Sequence, residues 1–158
     1  MKNTGSQLLL FFLVFMIPVT SQADVSEWCP DGYRAFTRGN MDVANQELSS
    51  CLYNPPEDVE LASRGYALRG ETYFSQGDQE AAANDFGLAV ELWPENAIAW
   101  RSKSLVHYER EEFLEAITAI SRSLGINSQD TESHFVHATI LTAMDRPDLA
   151  MDAYDLGF

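Results

Sequence analysis

The chain has 158 residues, of which 46% are hydrophobic and 11% aromatic, and its formal net charge at pH 7 is −14. This apolar content is enough to bury a core, which excludes a fully disordered chain and favours one globular domain. An acidic surface repels phosphate backbones and anionic lipid headgroups, so nucleic acids and membranes are disfavoured as partners. The simplest interpretation of the charge is that it keeps the protein soluble.

The first 23 residues have the pattern of a secretory signal. Lys2 supplies the positive start, residues 8–17 form an apolar run, and residues 21–23 include the small side chains of a cleavage point. The run is too short to span a bilayer, which takes about 20 residues. We therefore expect cleavage after Ala23, no membrane insertion of the mature chain, and a periplasmic or secreted location. No Asn-x-Ser/Thr sequon follows residue 23, which favours a bacterial protein.

The rest of the sequence repeats with a period of 34 residues. Three columns show the period: bulky Tyr66, Trp100 and His134; small Gly70, Ser104 and Ala138; and alanine at Ala82, Ala116 and Ala150. Trp28, Gly32 and Ala44 fit the same columns once four extra residues near 59–62 are allowed. The period predicts one domain over 24–158, with repeats at about 25–58, 63–96, 97–130 and 131–158.

This pattern resembles the tetratricopeptide repeat over essentially all of residues 25–158. The resemblance implies an all-α fold, a right-handed α-solenoid in which antiparallel helical hairpins stack side by side. The small residues would lie where two helices cross closely. Gly77 would supply left-handed backbone at a hairpin turn and Asp78 would cap the next helix, and residues 145–148 would do the same with a proline at the helix start.

Cys29 and Cys51 are the two cysteines of the chain. In the first repeat, Cys29 falls on the first helix and Cys51 near the end of the second. Because antiparallel packing brings these two ends together, we expect a disulfide in an oxidising compartment, where it would stabilise the outer hairpin. The alternative is two reduced thiols that behave as small buried hydrophobes.

The resemblance also implies a binding groove, since the first helix of each repeat lines the concave face in this family. Carried onto this sequence, the groove residues are Tyr33, Phe36, Ala67, Glu71, Phe74, Arg101, Leu105, Tyr108, Phe135, Thr139 and Thr142. Such an aromatic groove suits an apolar extended peptide or an amphipathic helix. The alternative is that some of these aromatic side chains only pack between repeats.

One specialised form of this groove is not expected. Family members that grip a C-terminal carboxylate use Lys and Asn on two of the groove columns. Here one column holds Cys29, Ala67, Arg101 and Phe135, and the other holds Tyr33, Glu71, Leu105 and Thr139. The carboxylate clamp is therefore absent from the pattern.

Three basic residues stand where the family prefers leucine, namely Arg69, Lys103 and His137. They could form a basic ladder that neutralises acids of the chain or of a ligand. The simpler interpretation is that their aliphatic stems pack while their polar heads reach solvent.

No catalytic motif is present: the sequence has no Gly-x-Ser-x-Gly elbow, phosphate loop, His-Glu-x-x-His or Cys-x-x-Cys. His107, His134 and His137 are not expected to meet a carboxylate that would complete a metal site. We therefore expect a protein that is not an enzyme and that carries no metal or cofactor.

These observations favour an adaptor in the cell envelope that binds a peptide or helix of a partner protein in the groove. The alternative is a structural or assembly component that self-associates, or docks onto a larger complex, through its last helix. That helix would present Leu149, Ala153, Leu156 and Phe158 without a capping helix to cover them.

Overall fold

The computed structural model describes residues 24–155, and every regular element in that range is an α-helix. The proposed signal segment, Leu156 and Phe158 lie outside the described residues. In chain order the helices are α1 (Val25–Trp28), α2 (Pro30–Thr37), α3 (Met41–Leu52), α4 (Val59–Ser75), α5 (Gln79–Leu92), α6 (Ala97–Glu109), α7 (Phe113–Ile126), α8 (Thr131–Ala143) and α9 (Pro147–Asp155). They form four antiparallel hairpins, each packed on its sequence neighbours.

The first helix of the first hairpin is broken, which the sequence did not predict. Cys29 has non-helical backbone, with φ −131° and ψ 67°, and separates α1 from α2, which begins at Pro30. The residue before a proline is disfavoured in helical backbone, and the proline itself lacks the N–H for a helical hydrogen bond. Cys29 therefore lies between two helices rather than within one.

The four extra residues before the second repeat extend its first helix. α4 has 17 residues, against 13 in each of α6 and α8. The Asp58 side chain caps the new start by accepting hydrogen bonds from the backbone N–H groups of Glu60 and Leu61.

Each hairpin turns through one residue in left-handed backbone. The turn residues are Gly39, Gly77, Glu111 and Asp145, with φ between 58° and 81°. The predictions for Gly77 and for residues 145–148 are confirmed, and Asp78 accepts a hydrogen bond from the backbone N–H of Ala81. Glu111 was not recognised as a turn residue, because glutamate gives no sequence signal for this conformation.

Close helix crossings hold the hairpins together, as the small-residue columns predict. A Cβ atom added at Gly70 would lie 2.7 Å from the ring of Phe86, and one added at Gly32 would lie 2.9 Å from the side chain of Leu48. Ala82 and Ala116 on the opposing helices are fully buried. The large side chain of one helix thus occupies the space that the small residue of the other leaves open.

We expect Gly70→Ala to destabilise the fold by about 1–3 kcal/mol, because its Cβ would overlap the buried Phe86 ring. Gly87→Ala is the matched control: it lies in α5, and a Cβ there would meet nothing within 4 Å. That change should stabilise the helix by about 0.5–1 kcal/mol. Urea unfolding of both variants measures the difference, and equal effects would contradict the helix crossing.

Buried hydroxyl groups join the second hairpin to the third. The Ser63 hydroxyl donates to the carbonyl of Ala89 at 2.7 Å and accepts from Asn96 Nδ2 at 2.9 Å, while Asn96 Oδ1 caps the N–H of Ala99. A similar connection joins the third hairpin to the fourth, where the Ser123 hydroxyl lies 2.8 Å from that of Ser133. These bonds fix the spacing of successive first helices, which form the walls of the site described below.

The three basic residues make different contacts, and one of them, Arg69, neutralises an acid of the chain. Arg69 makes two 2.7 Å bonds to the buried Asp85 carboxylate, so its head does not reach solvent as the simpler interpretation held. The Lys103 amino group lies 5.3 Å from the centre of the Trp100 ring. Burial next to His134 lowers the pKa of the His137 imidazole, which favours its neutral form. Arg69 also donates to the Ser49 hydroxyl at 3.4 Å, so its contacts extend to the first hairpin.

Cys29 and Cys51 are joined by a disulfide with a Cα–Cα distance of 6.0 Å. The bond connects the break between α1 and α2 to the last turn of α3, so it closes the first hairpin at its open end. The buried Cys29 also belongs to a core cluster with Val25, Leu48 and Leu61.

We expect reduction of the disulfide to lower the free energy of unfolding by about 3 kcal/mol, since it closes a loop of 22 residues. Mass spectrometry under non-reducing conditions should find no free thiol in protein exported to an oxidising compartment. Cys29→Ser with Cys51→Ser should match the reduced protein in thermal unfolding. Two free thiols in the exported protein would contradict this pairing.

Candidate functional site

A cleft of about 610 Å³ lies on the concave face between α2, α4, α6 and α8. We call it the concave cleft. Its lining residues are Phe36, Met41, Glu71, Phe74, Ser75, Phe86, Arg101, Ser102, Leu105, Thr131, Glu132, Phe135 and Val136. The lining is mainly apolar, and its volume lies within the range of about 300–1,000 Å³ that ligand pockets occupy.

Six of the predicted groove residues line the concave cleft. They come from the first helices of all four hairpins and are Phe36, Glu71, Phe74, Arg101, Leu105 and Phe135. Phe135 is 60% exposed, so a large aromatic surface stands open at the wall formed by α8. The first helices therefore place these side chains together as the repeat pattern predicts.

Five predicted groove residues do not line the cleft. Ala67 is buried in the core beside Ala89 and Ala99. The Tyr108 ring lies 6.1 Å from the ring of Phe113 and packs on a cluster that includes Val136 and Ile140 of α8, so it packs between repeats, as the alternative held. Tyr33 lies outside the cleft and is partly exposed, as are Thr139 and the adjoining Thr142, whose hydroxyls donate to carbonyls of α8 itself.

The sequence reasoning missed several lining residues: Met41, Ser75, Phe86, Ser102, Thr131, Glu132 and Val136. Met41 begins α3, a second helix, and was not considered because the carry-over used first helices only. Phe86 also lies on a second helix, and it reaches the cleft because Gly70 has no side chain to block it. Each small residue at a helix crossing needs a large residue on the opposing helix to fill the space beside it. A search for that large residue opposite Gly70 would have predicted Phe86.

The guanidinium of Arg101 is held by two acids from the start of α8. Its Nη1 lies 2.7 Å from Asp130 Oδ2, and its Nη2 lies 2.7 Å from Glu132 Oε2. Burial alone would raise the pKa of Asp130, but hydrogen bonds from Ser133 and Arg101 outweigh burial and lower it. Arg101 is therefore neutralised by the chain before any ligand arrives.

Glu71 lies at the centre of the cleft wall formed by α4. Its Oε1 accepts a 3.3 Å hydrogen bond from the Ser102 hydroxyl, and within residues 24–155 it forms no ion pair. Burial raises the pKa of Glu71 above its ordinary value of 4.5, although the Ser102 hydrogen bond and the Arg101 charge lower it in part, while Glu132 adds a smaller rise. An ionised Glu71 is thus a cost to the fold at neutral pH.

We expect Glu71→Gln to raise the melting temperature at pH 7, because the raised pKa means that folding disfavours the charged carboxylate. Below pH 4.5 the native carboxyl is already neutral, so the advantage of the variant should disappear as pH falls through the raised pKa. Thermal unfolding of both proteins from pH 7 to pH 4 measures this. A stabilisation that is the same at both ends of the range would contradict it.

The rest of the described chain provides weaker candidates for a functional site than the concave cleft. A smaller cavity of about 290 Å³ beside Trp100 and Lys103 contains His107, which pairs with Glu112 at 2.6 Å. Residues 24–155 contain no group of three or more His, Cys, Asp or Glu side chains placed to hold a metal ion. None of the helices in this range is long and apolar enough to cross a bilayer.

The last described helix is less open than the sequence indicates. Leu149 is 39% exposed, but Ala153 is only 3% exposed because it packs against Ala138 and Leu141 of α8. The expectation that Ala153 is uncovered is therefore wrong. Leu156 and Phe158 lie outside the described residues.

No family model matches the sequence. A curated relative, the cell division cycle protein 27 homolog of Caenorhabditis elegans, is 25% identical over 112 residues. The match covers 71% of this chain but only 14% of that relative, so this chain spans a small part of its length.

Solved structures show the fold clearly. A crystal structure of MamA superposes with a TM-score of 0.68 at 23% identity, covering 80% of this chain and 71% of that one. The first TPR domain of Spaghetti (RPAP3), bound to the HSP90 peptide SRMEEVD, gives 0.67 at 19% identity, covering 75% and 90%. The Cut9–Hcn1 hetero-tetramer of the APC/C gives 0.73 at 19% identity, covering 85% and 26%.

The resemblance seen in the sequence is confirmed at the level of the fold. The chain has the tetratricopeptide-repeat fold, a right-handed α-solenoid of antiparallel helical hairpins.

Proposed function

We propose that this protein is a non-enzymatic adaptor that binds a peptide segment or helix of a partner protein in the concave cleft. The observation that carries the proposal is the cleft itself: one apolar concavity to which all four hairpins contribute, lined by the partly buried Phe74 and Leu105 and the exposed Phe135. A rigid stack offers such a surface without rearrangement, which lowers the entropic cost of binding. The RPAP3 domain, which has the same fold, holds a peptide in its structure.

The mode of binding differs from capture of a C-terminal carboxylate. Arg101, the basic residue among those lining the cleft, already bonds Asp130 and Glu132. A terminal carboxylate would have to displace these acids, so recognition rests on apolar side chains entering the cleft.

The proposal places the protein in the periplasm or outside the cell, after cleavage at Ala23. The apolar segment at residues 8–17 supports export, and so does the Cys29–Cys51 disulfide, because such bonds persist in oxidising compartments. Mass spectrometry of the exported protein should find Asp24 at its N-terminus.

The cleft can be tested with matched aromatic substitutions. We expect Phe74→Ala with Phe135→Ala to abolish capture of the partner from an envelope extract, since both rings line the cleft. Tyr53→Ala is the control, because Tyr53 is 84% exposed and lies outside the cleft. Circular dichroism should show all variants to be helical. Equal capture by the double variant and the control would overturn the cleft as the binding site.

A second candidate function is self-association through the last helix. Leu149 and Met151 are both exposed on α9, and in the sequence they are followed by two further apolar residues, Leu156 and Phe158. Light scattering distinguishes the candidates. A dimer that becomes a monomer on Leu149→Glu with Met151→Glu favours the last helix, whereas a monomer with intact partner capture favours the cleft.

A further inference from the structure

The charges of the concave cleft are unequally compensated. Its lining includes two acids, Glu71 and Glu132, and one base, Arg101. Glu132 is paired with Arg101 at 2.7 Å, and Asp130 binds the same guanidinium from just outside the lining. Glu71 is the acid that remains without a cation.

The surroundings of Glu71 keep a place for a positive charge. Its neighbour Ser102 donates one hydrogen bond at 3.3 Å, which leaves acceptor capacity on a carboxylate that has two oxygens. The nearby Arg101 does not repel an incoming cation strongly, because Asp130 and Glu132 offset its charge. Aromatic and aliphatic side chains, including Phe74, Leu105 and Phe135, line the same cleft.

We propose that the segment bound in the concave cleft carries a lysine or arginine between large apolar side chains, and that its cation pairs with Glu71. This inference rests on the proposed function and adds the chemistry of its ligand. The apolar side chains fill the walls, while the cation supplies an ion pair to a partly buried carboxylate that forms none within residues 24–155.

The charge of the whole protein acts in the same direction. A net charge of −14 attracts basic segments over distance and raises their rate of encounter. An acidic segment meets the opposite field, and at the cleft its carboxylate would face Glu71 and Glu132 without a free cation. The cleft therefore selects against acidic peptides as well as for basic ones.

The test uses a random heptapeptide library displayed on phage and screened against the purified protein. We expect the selected peptides to share a Lys or Arg flanked by Phe, Trp, Leu or Ile. For a selected synthetic peptide, replacing its lysine with norleucine, which keeps the aliphatic stem, should weaken binding at least about tenfold. Isothermal titration calorimetry measures both peptides.

Glu71→Gln is the matched protein variant, because glutamine keeps the size of the side chain and can still accept from Ser102. On this variant the lysine and norleucine peptides should bind within about twofold of each other. The role of Glu71 is overturned if replacing lysine with norleucine weakens binding equally on the native protein and on the variant. It is also overturned if the selected peptides are rich in Asp and Glu or lack charge.

The experiments distinguish an error in the cleft as the binding site from an error in Glu71 as the cation site. Phe74→Ala with Phe135→Ala should weaken the lysine and norleucine peptides alike, because both use the apolar walls. If no selected peptide is weakened by that change, or if the library yields no binder, the proposed function is contradicted and this inference with it. If the double alanine variant binds every peptide more weakly, but Glu71→Gln still prefers the lysine peptide to the norleucine peptide, only the cation site is wrong.

Discussion

The close crossing of the two helices in each hairpin is the constraint on which the rest of this structure depends. At Gly70 the backbone of α4 lies so near α5 that the Phe86 ring occupies the place of a side chain. Gly32 and Leu48 repeat the arrangement in the first hairpin. Since the crossings recur at one period, successive first helices face the same side, and their remaining side chains form a continuous concave wall.

Turns and helix crossings were predictable from the sequence wherever a characteristic residue type marks them. Gly77 and Pro147 indicate their turns, and the repeat columns of small residues indicate the helix crossings. Glu111 adopts left-handed backbone without any such residue, because the hairpins on either side determine the path of the chain there. The break at Cys29 had a signal in Pro30, which was overridden by the expectation of one continuous helix.

The composition of the cleft was only partly predictable, for a different reason. A repeat column gives the helix face on which a residue lies, but neighbouring helices decide whether it stays open. Ala67 lies on a groove column and is nevertheless buried, whereas Met41 lies on no groove column and lines the cleft. The pairing of Arg101 with Glu132 spans two repeats, and no pattern within one repeat shows it.

The disulfide at Cys29 and Cys51 makes the two ends of the stack unequal in their local opening. In a solenoid each hairpin is stabilised mainly by its neighbours, so partial unfolding starts at an end and spreads inward. The two sides of the first hairpin are tied covalently across its open end, whereas α8 and α9 of the fourth described hairpin are held together by noncovalent contacts alone. Amide hydrogens of α8 and α9 should consequently exchange with solvent faster than those of α3, and Phe135 lies on the wall that opens first.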